Sequence, residues 1–179
     1  MSVVYELVDD QTNQLIQSVL VKHHDELLAE KVTLQAVFAC DIDEESGEEL
    51  STLKHHGYPA LAKIQVTSYM DRVRGIPDAK LTIDRYGWKQ HTKTRREACI
   101  DHELCHIVVA RDKEGLVRRD DLSRPKLKMR IHDWELSGFA EVVTRHGEAS
   151  IESLQIVRFQ ERWGQLCLFP LPGLVPAEK

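Results

Sequence analysis

His102, Glu103 and His106 stand in the run His102-Glu103-Leu104-Cys105-His106, inside the longer segment ACIDHELCHIVVA at 98–110. On a helix, residues four apart lie on one face, one turn above the other. Two imidazoles placed so can grip one metal ion from one side. Zinc suits nitrogen donors at about 2.0–2.1 Å in a tetrahedral arrangement, and a catalytic zinc keeps one position for water. Glu103 reaches a water there without having to be a ligand. Its carboxylate can take the water's proton and pass it to a leaving amine. The pattern predicts zinc on His102 and His106 with Glu103 as the general base. The competing reading is an amphipathic helix with two polar-face histidines and no metal.

A third ligand must come from elsewhere. His132 opens the segment HDWELSGF at 132–139, between a strand-like run and a helix, where its ring can point back at the motif helix. Glu141, on that next helix, is the rival, in the manner of the glutamate ligand of thermolysin-like enzymes. Asp133 can cap the following helix or orient a ligand through a hydrogen bond. His146 ends the same helix, where a protonated imidazole suits the C-terminus. It is also a candidate to hold the oxyanion of the tetrahedral intermediate. Cys105, between the two motif histidines, reads as a buried thiol rather than a ligand. The pairs His23-His24 and His55-His56 read as surface residues, and His91 has no stronger claim.

These groups need elements to hold them. Thr94-Arg95-Arg96-Glu97 fits a capping box that opens a helix over 95–110. Alternating apolar and polar residues predict strands over 60–68 and 79–86, with the turn Gly75-Ile76-Pro77-Asp78 between them, and a further strand over 125–131. A shorter strand is expected over 32–39. Apolar spacing predicts helices over 4–31, 133–146 and 150–163, with Gly147 as a helix stop. The acidic stretch 41–50 and the charged stretch 111–124 read as loops or a hairpin. Helix, strands, helix, strand and helices in this order give an α+β fold with a small mixed sheet, the motif helix packed against it and helices at the C-terminal end.

Bulk properties limit the partners. The chain has 179 residues, four cysteines with no CxxC pair and a net charge of -5. No apolar run approaches the roughly 20 residues of a membrane span. A cytoplasmic protein of a bacterial host with reduced thiols is the expectation, and no membrane partner. Charge is uneven: residues 85–130 hold 13 Lys/Arg and 7 Asp/Glu, a local net of +6. Such a block suits a solvated face of mixed charge, or nucleic acid. Oligomeric state is not legible.

The runs REACIDHELCHIV (96–108) and HDWELSGFAEVVTRHG (132–147), with the opening VYELVDDQTNQLIQSVLVKHHDEL and the stretch Asp84 to Trp88, resemble the phage and prophage metallopeptidase family. That family is similar to SprT-like zinc metallopeptidases. Trp134 departs from the smaller aliphatic residue expected there. The resemblance covers about residues 4–147 and implies a zincin-like fold with zinc on His102, His106 and His132 and Glu103 as base. The expected domain is 1–147, with 148–179 as a helical extension and Pro-rich tail. The expected activity is zinc-dependent hydrolysis of peptide bonds in a protein or peptide substrate. The alternative is a non-catalytic zinc-containing module that docks a host protein or nucleic acid. A metallohydrolase acting on a non-peptide amide would use the same residues.

Overall fold

A computed structural model describes residues 3–55, 58–132 and 138–163 of the chain. The fold is mixed α+β, as expected. Strands β1 (Val3–Leu7), β2 (Leu34–Ile42), β3 (Glu49–Leu50), β4 (Lys54–His55), β5 (Tyr58–Pro59), β6 (Ala62–Val66) and β7 (Ala79–Asp84) come before the motif helix. The main sheet has the order β1-β2-β7-β6, with β3 beside one end of β2. β1 and β2 pair antiparallel, β2 and β7 parallel, and β7 and β6 antiparallel with Ile64 opposite Leu81. β4 and β5 form a separate small ladder.

The parallel pair is the most deeply buried part of the sheet. Ala79, Leu81 and Ile83 of β7 are fully enclosed, as central strands covered on their faces must be. Helix α1 (Asp10–His23) turns Ile16, Val19 and Leu20 into the same core, which Ile100 and Leu104 of helix α5 (Lys93–Cys105) complete. Burying side chains of this size stabilises by about 1.5–3 kcal/mol each. That packing fixes α5 against the sheet and so sets where its motif face points.

Three elements differ from expectation. The stretch 4–31, expected as one helix, divides differently: Val3–Leu7 is a strand, α1 begins only after Asp9, whose carboxylate accepts from the Thr12 amide at 2.6 Å, and a separate short helix, α2 (Asp25–Ala29), follows. β-branched and aromatic residues favour the extended form there. The second difference is α4 (Arg85–Gln90), a short helix on the end of the run expected to be all strand. Asp84 starts it by accepting from the Gly87 amide at 2.8 Å. The third is the cap of α5. Thr92, not Thr94, accepts from the Arg95 amide, and the helix ends at Cys105 instead of continuing to 110.

After α5 the chain returns at once as β8 (Ile107–Val109), pairs with β9 (Leu127–Met129), and bridges further at Arg111–Val117 and Arg119–Pro125. The charged stretch 111–124 is thus the far end of a hairpin. Helix α3 (Tyr69–Val73) lies between β6 and β7. Helix α6 (Ala140–His146) stops at Gly147, which takes φ 52°, a left-handed region that suits glycine. Helix α7 (Ile151–Trp163) follows. The buried Ser150 opens it, its Oγ accepting from the Ser153 amide at 3.1 Å. The expected start of a helix at 133 lies outside the described residues, as do Asp133, Trp134, His56 and the tail from 164.

Candidate metal centre

His102 sits in the last turn of α5 and His106 caps its end. His132 follows β9, and its Nε2 lies 3.3 Å from the Nε2 of His102. One ring nitrogen from each of His102, His106 and His132 lies within 4.8 Å of the other two. Two nitrogens bound tetrahedrally to zinc are about 3.3 Å apart, given the bond lengths near 2.0–2.1 Å, so the first pair already has the right separation. The Phe139 ring, fully buried, stands 5.2, 4.9 and 5.1 Å from the three imidazole centroids and backs them with an apolar wall.

What the other ring nitrogens touch decides the tautomers. His102 Nδ1 is 2.7 Å from Glu152 Oε1, and His106 Nδ1 is 2.9 Å from the Arg130 carbonyl. A carboxylate and a carbonyl only accept, so both rings donate from Nδ1. A neutral ring that donates from Nδ1 keeps its lone pair on Nε2. Burial alone would lower the pKa of His102, but the Glu152 hydrogen bond and the Glu103, Glu152 and Asp101 charges outweigh it and raise it. Burial lowers that of His106, and the Arg130 carbonyl offsets this only in part. Glu152 is held low: the His102 contacts and the Phe139 amide at 3.1 Å overcome the burial that would raise it. Three imidazoles stand here beside the buried carboxyl groups of Glu103 and Glu152, which supply negative charge when ionised. One oxygen of Glu152 has no hydrogen-bond partner. A divalent cation with a preference for nitrogen fits this donor set and this charge.

Glu103 is buried next to the cluster, and its Oε2 accepts from the Ile64 amide at 2.8 Å. Ile64 belongs to β6, the free edge of the sheet. A cavity of about 990 Å³ runs along that edge, lined by β6, Glu103, the three histidines, Met129, and Ile151 and Leu154 of α7.

The remaining candidates are held elsewhere. Glu141 pairs with Arg130 at 2.7 Å and with Arg145, not with the imidazoles. His146 is tied to Asp101 at 2.8 Å and is not among the residues lining the cavity. Asp101 also accepts from His24 at 2.8 Å and from Arg145 at 2.9 Å. His24 is therefore half-buried against a carboxylate instead of lying free on the surface; a hydrogen bond across 77 residues has no local signature. His23, Asp101 and His146 also lie close enough to share an ion. The Arg145 guanidinium on both Asp101 oxygens already supplies the positive charge there. Cys105 is a buried thiol whose pKa burial raises, as expected of a core cysteine. Cys40, Cys99 and Cys105 are all free.

Glu152 is the site residue that sequence reasoning missed, and nothing near it in the sequence marks it. Phe139 stood in the run HDWELSGF, but as an apolar residue of that segment and not as the wall behind the imidazoles. Several cations of the positive stretch 85–130 are already neutralised: Arg111 pairs with Glu26, Arg119 with Glu30, Arg124 with Asp78 and Arg130 with Glu141. Among the described residues, no helix is long and apolar enough to cross a membrane.

Three imidazoles and a buried glutamate beside the edge of a mixed sheet are a set of groups that a metal-dependent hydrolase can use. The chain matches the family model described as "putative phage metallopeptidase" over residues 5–167, and it belongs to that family. Membership implies a hydrolase that depends on a metal and acts on proteins or peptides. The match runs well past residue 147, where the resemblance was expected to end. No curated protein and no solved structure matches the chain.

Proposed function

We propose that the protein is a zinc-dependent endopeptidase of zincin-like arrangement, with His102, His106 and His132 as the metal ligands and Glu103 as the general base. One observation carries the reading: one ring nitrogen from each of three histidines converges, with His102 and His106 oriented through Nδ1, beside a buried glutamate at an open groove. Zinc held there would polarise a substrate carbonyl and acidify a water. Everything else falls to the chain.

The β6 edge supports binding of an extended peptide. The Leu61 carbonyl and the Thr67 amide bond toward β7. In an antiparallel ladder, alternate residues bond alternate sides. The main-chain groups of Ala62 and Val66 and the Ile64 carbonyl then face the groove, where a substrate strand can add to the sheet, while the Ile64 amide stays with Glu103. Glu103 takes the proton of the attacking water at a carboxylate oxygen and delivers it to the leaving amine. Phe139, Ile151 and Leu154 limit water around the reacting bond.

The described cluster comprises three protein donors, which leaves a position for water and favours turnover over a closed structural site. The test is metal content and peptide hydrolysis for wild type beside Glu103→Gln and His132→Ala. The expected result is about one zinc per chain in wild type and in Glu103→Gln, with hydrolysis lost in the latter by about 100-fold or more. His132→Ala should lose or weaken the metal. Full activity in Glu103→Gln would remove Glu103 as the base, and wild type that takes up no zinc would remove the enzyme.

A further inference from the structure

Resting on the proposed peptidase site, we infer that Arg95 selects a substrate carboxylate two or three residues after the cleaved bond. Arg95 lines the groove, in the first turns of α5. It is seven residues before His102, which on a helix is two turns along the same face. Its neighbour Arg96 is fully engaged, donating to the Trp88 and Lys89 carbonyls and stacking on the Trp88 ring. The Arg95 guanidinium has no carboxylate or carbonyl partner among the described residues.

The other charges at this end of the groove do not cancel it. Asp84 is buried, and its carboxylate accepts from Ser51, from the amides of Thr52 and Leu53, and from the Gly87 amide. His91, just before the α5 cap, lines the same end and is neutral or positive. Lys63 adds no negative charge, and strand alternation carries its side chain to the face of β6 opposite Ile64. Arg95 is the cation on the α5 side, with its charge turned to the substrate's path.

Direction follows from the sheet. The Leu61 end of β6 adjoins α4, where Leu61 Cδ1 would touch a Cβ on Gly87 at 3.1 Å. That is also the end at which α5 begins. The Val66 end leads into α3, whose Arg72 donates to the Pro125 carbonyl just before β9. Antiparallel addition is the more stable pairing, and it runs the peptide from the Val66 end to the Leu61 end. The residues after the cleaved bond therefore travel toward Arg95. Seven helical residues span about 10.5 Å, or roughly three residues of an extended peptide. The carboxylate can be an Asp or Glu side chain or the free C-terminus of a short peptide. Both give the bidentate partner that a guanidinium prefers.

The test uses the full zinc-loaded chain and a degenerate octapeptide library, prepared once as free acids and once as C-terminal amides. Cleavage products are read by mass spectrometry for wild type and for Arg95→Glu. Glutamate is tolerated near a helix N-terminus, so metal content and unfolding temperature should stay at the wild-type level. The expected profile shows acidic residues enriched about five-fold over basic ones at the second or third position after the cut, with the order reversed in Arg95→Glu. Enrichment that persists in the amides assigns the carboxylate to a side chain; enrichment only in the free acids assigns it to the C-terminus. The same profile at those positions in both proteins overturns the inference. A binding measurement separates this from failure of the peptidase reading. Library pools rich in Glu or in Lys are titrated, by fluorescence anisotropy, into Glu103→Gln and into Glu103→Gln/Arg95→Glu. If wild type cleaves nothing but the Glu pool binds Glu103→Gln about five-fold tighter and loses this with Arg95→Glu, the carboxylate site stands and the peptidase does not. Equal binding of both pools, or none, overturns the inference.

Discussion

Glu152 and the Arg130 carbonyl do the same task for two different rings. Each accepts from Nδ1 and so aims an Nε2 lone pair into the site. Glu152 adds a charge that strengthens its ring as a donor, and a partner of this kind is typically worth 10–100-fold in metal affinity. Glu152→Ala should therefore weaken zinc binding by about that factor, measured by competition with a chromophoric chelator. Gly138→Ala should act in the same direction, because a Cβ on Gly138 would overlap Glu152 Cγ and push the carboxylate off His102. Unchanged affinity in both variants would mean that Glu152 is only a packing residue. His102, Glu103 and His106 were legible because their chemistry is written in a spacing of four. His132 was legible only through its place between a strand and a helix. Glu152 was not, since the pairing spans 50 residues and ESLQIV carries no mark of it.

Elements were legible where burial is one-sided and regular. β6 and β7 alternate, and both appear close to where alternation places them. β1 did not announce itself: its five residues are all exposed, so no core face imposes a pattern, and Leu7 extended the apolar spacing of the helix beyond. α4 was hidden because six residues with an internal glycine are too few to show a period. What ties these elements together is polar. Asp78, 1 % exposed, accepts from the Thr33 amide and hydroxyl before β2, and from Arg72 of α3 and Arg124 of the hairpin. Burial would raise its pKa, but the Thr33 hydrogen bonds and the two guanidinium groups hold it below the ordinary value. A carboxylate depressed in the folded state adds stability above its unfolded pKa, near 3.9, and loses it as pH falls through the folded value. Asp78→Asn should cost about 3 kcal/mol at pH 7, and its stability should fall less than that of wild type from pH 7 to pH 3. Urea unfolding at several pH values measures both. Parallel curves for the two proteins would show that the acid sensitivity arises elsewhere.

At the scale of the whole molecule, the site depends on four distant stretches of chain. α5 supplies His102, Glu103 and His106, the segment after β9 supplies His132, β6 supplies the edge, and α7 supplies Glu152 with Ile151 and Leu154. A boundary at residue 147 would divide this arrangement, and the family match continues to residue 167. α7 is held to the rest by more than Glu152. The Ser153 hydroxyl donates to the Gly147 carbonyl at 2.8 Å, and Ile156 is buried. Ending the chain after Gly147 should therefore do two separable things. It should weaken zinc binding at least as much as Glu152→Ala does, about 10–100-fold. It should also lower the unfolding temperature of the metal-free protein, because the apolar surface under α7 becomes exposed. Glu152→Ala in the full chain should reproduce the first effect and little of the second. The comparison is made by chelator competition and by thermal unfolding with and without excess EDTA. If the shortened chain keeps both its metal affinity and its unfolding temperature, α7 is an appendage and His102 is oriented without it. If both fall while Glu152→Ala loses only affinity, α7 belongs to the fold as well as to the site.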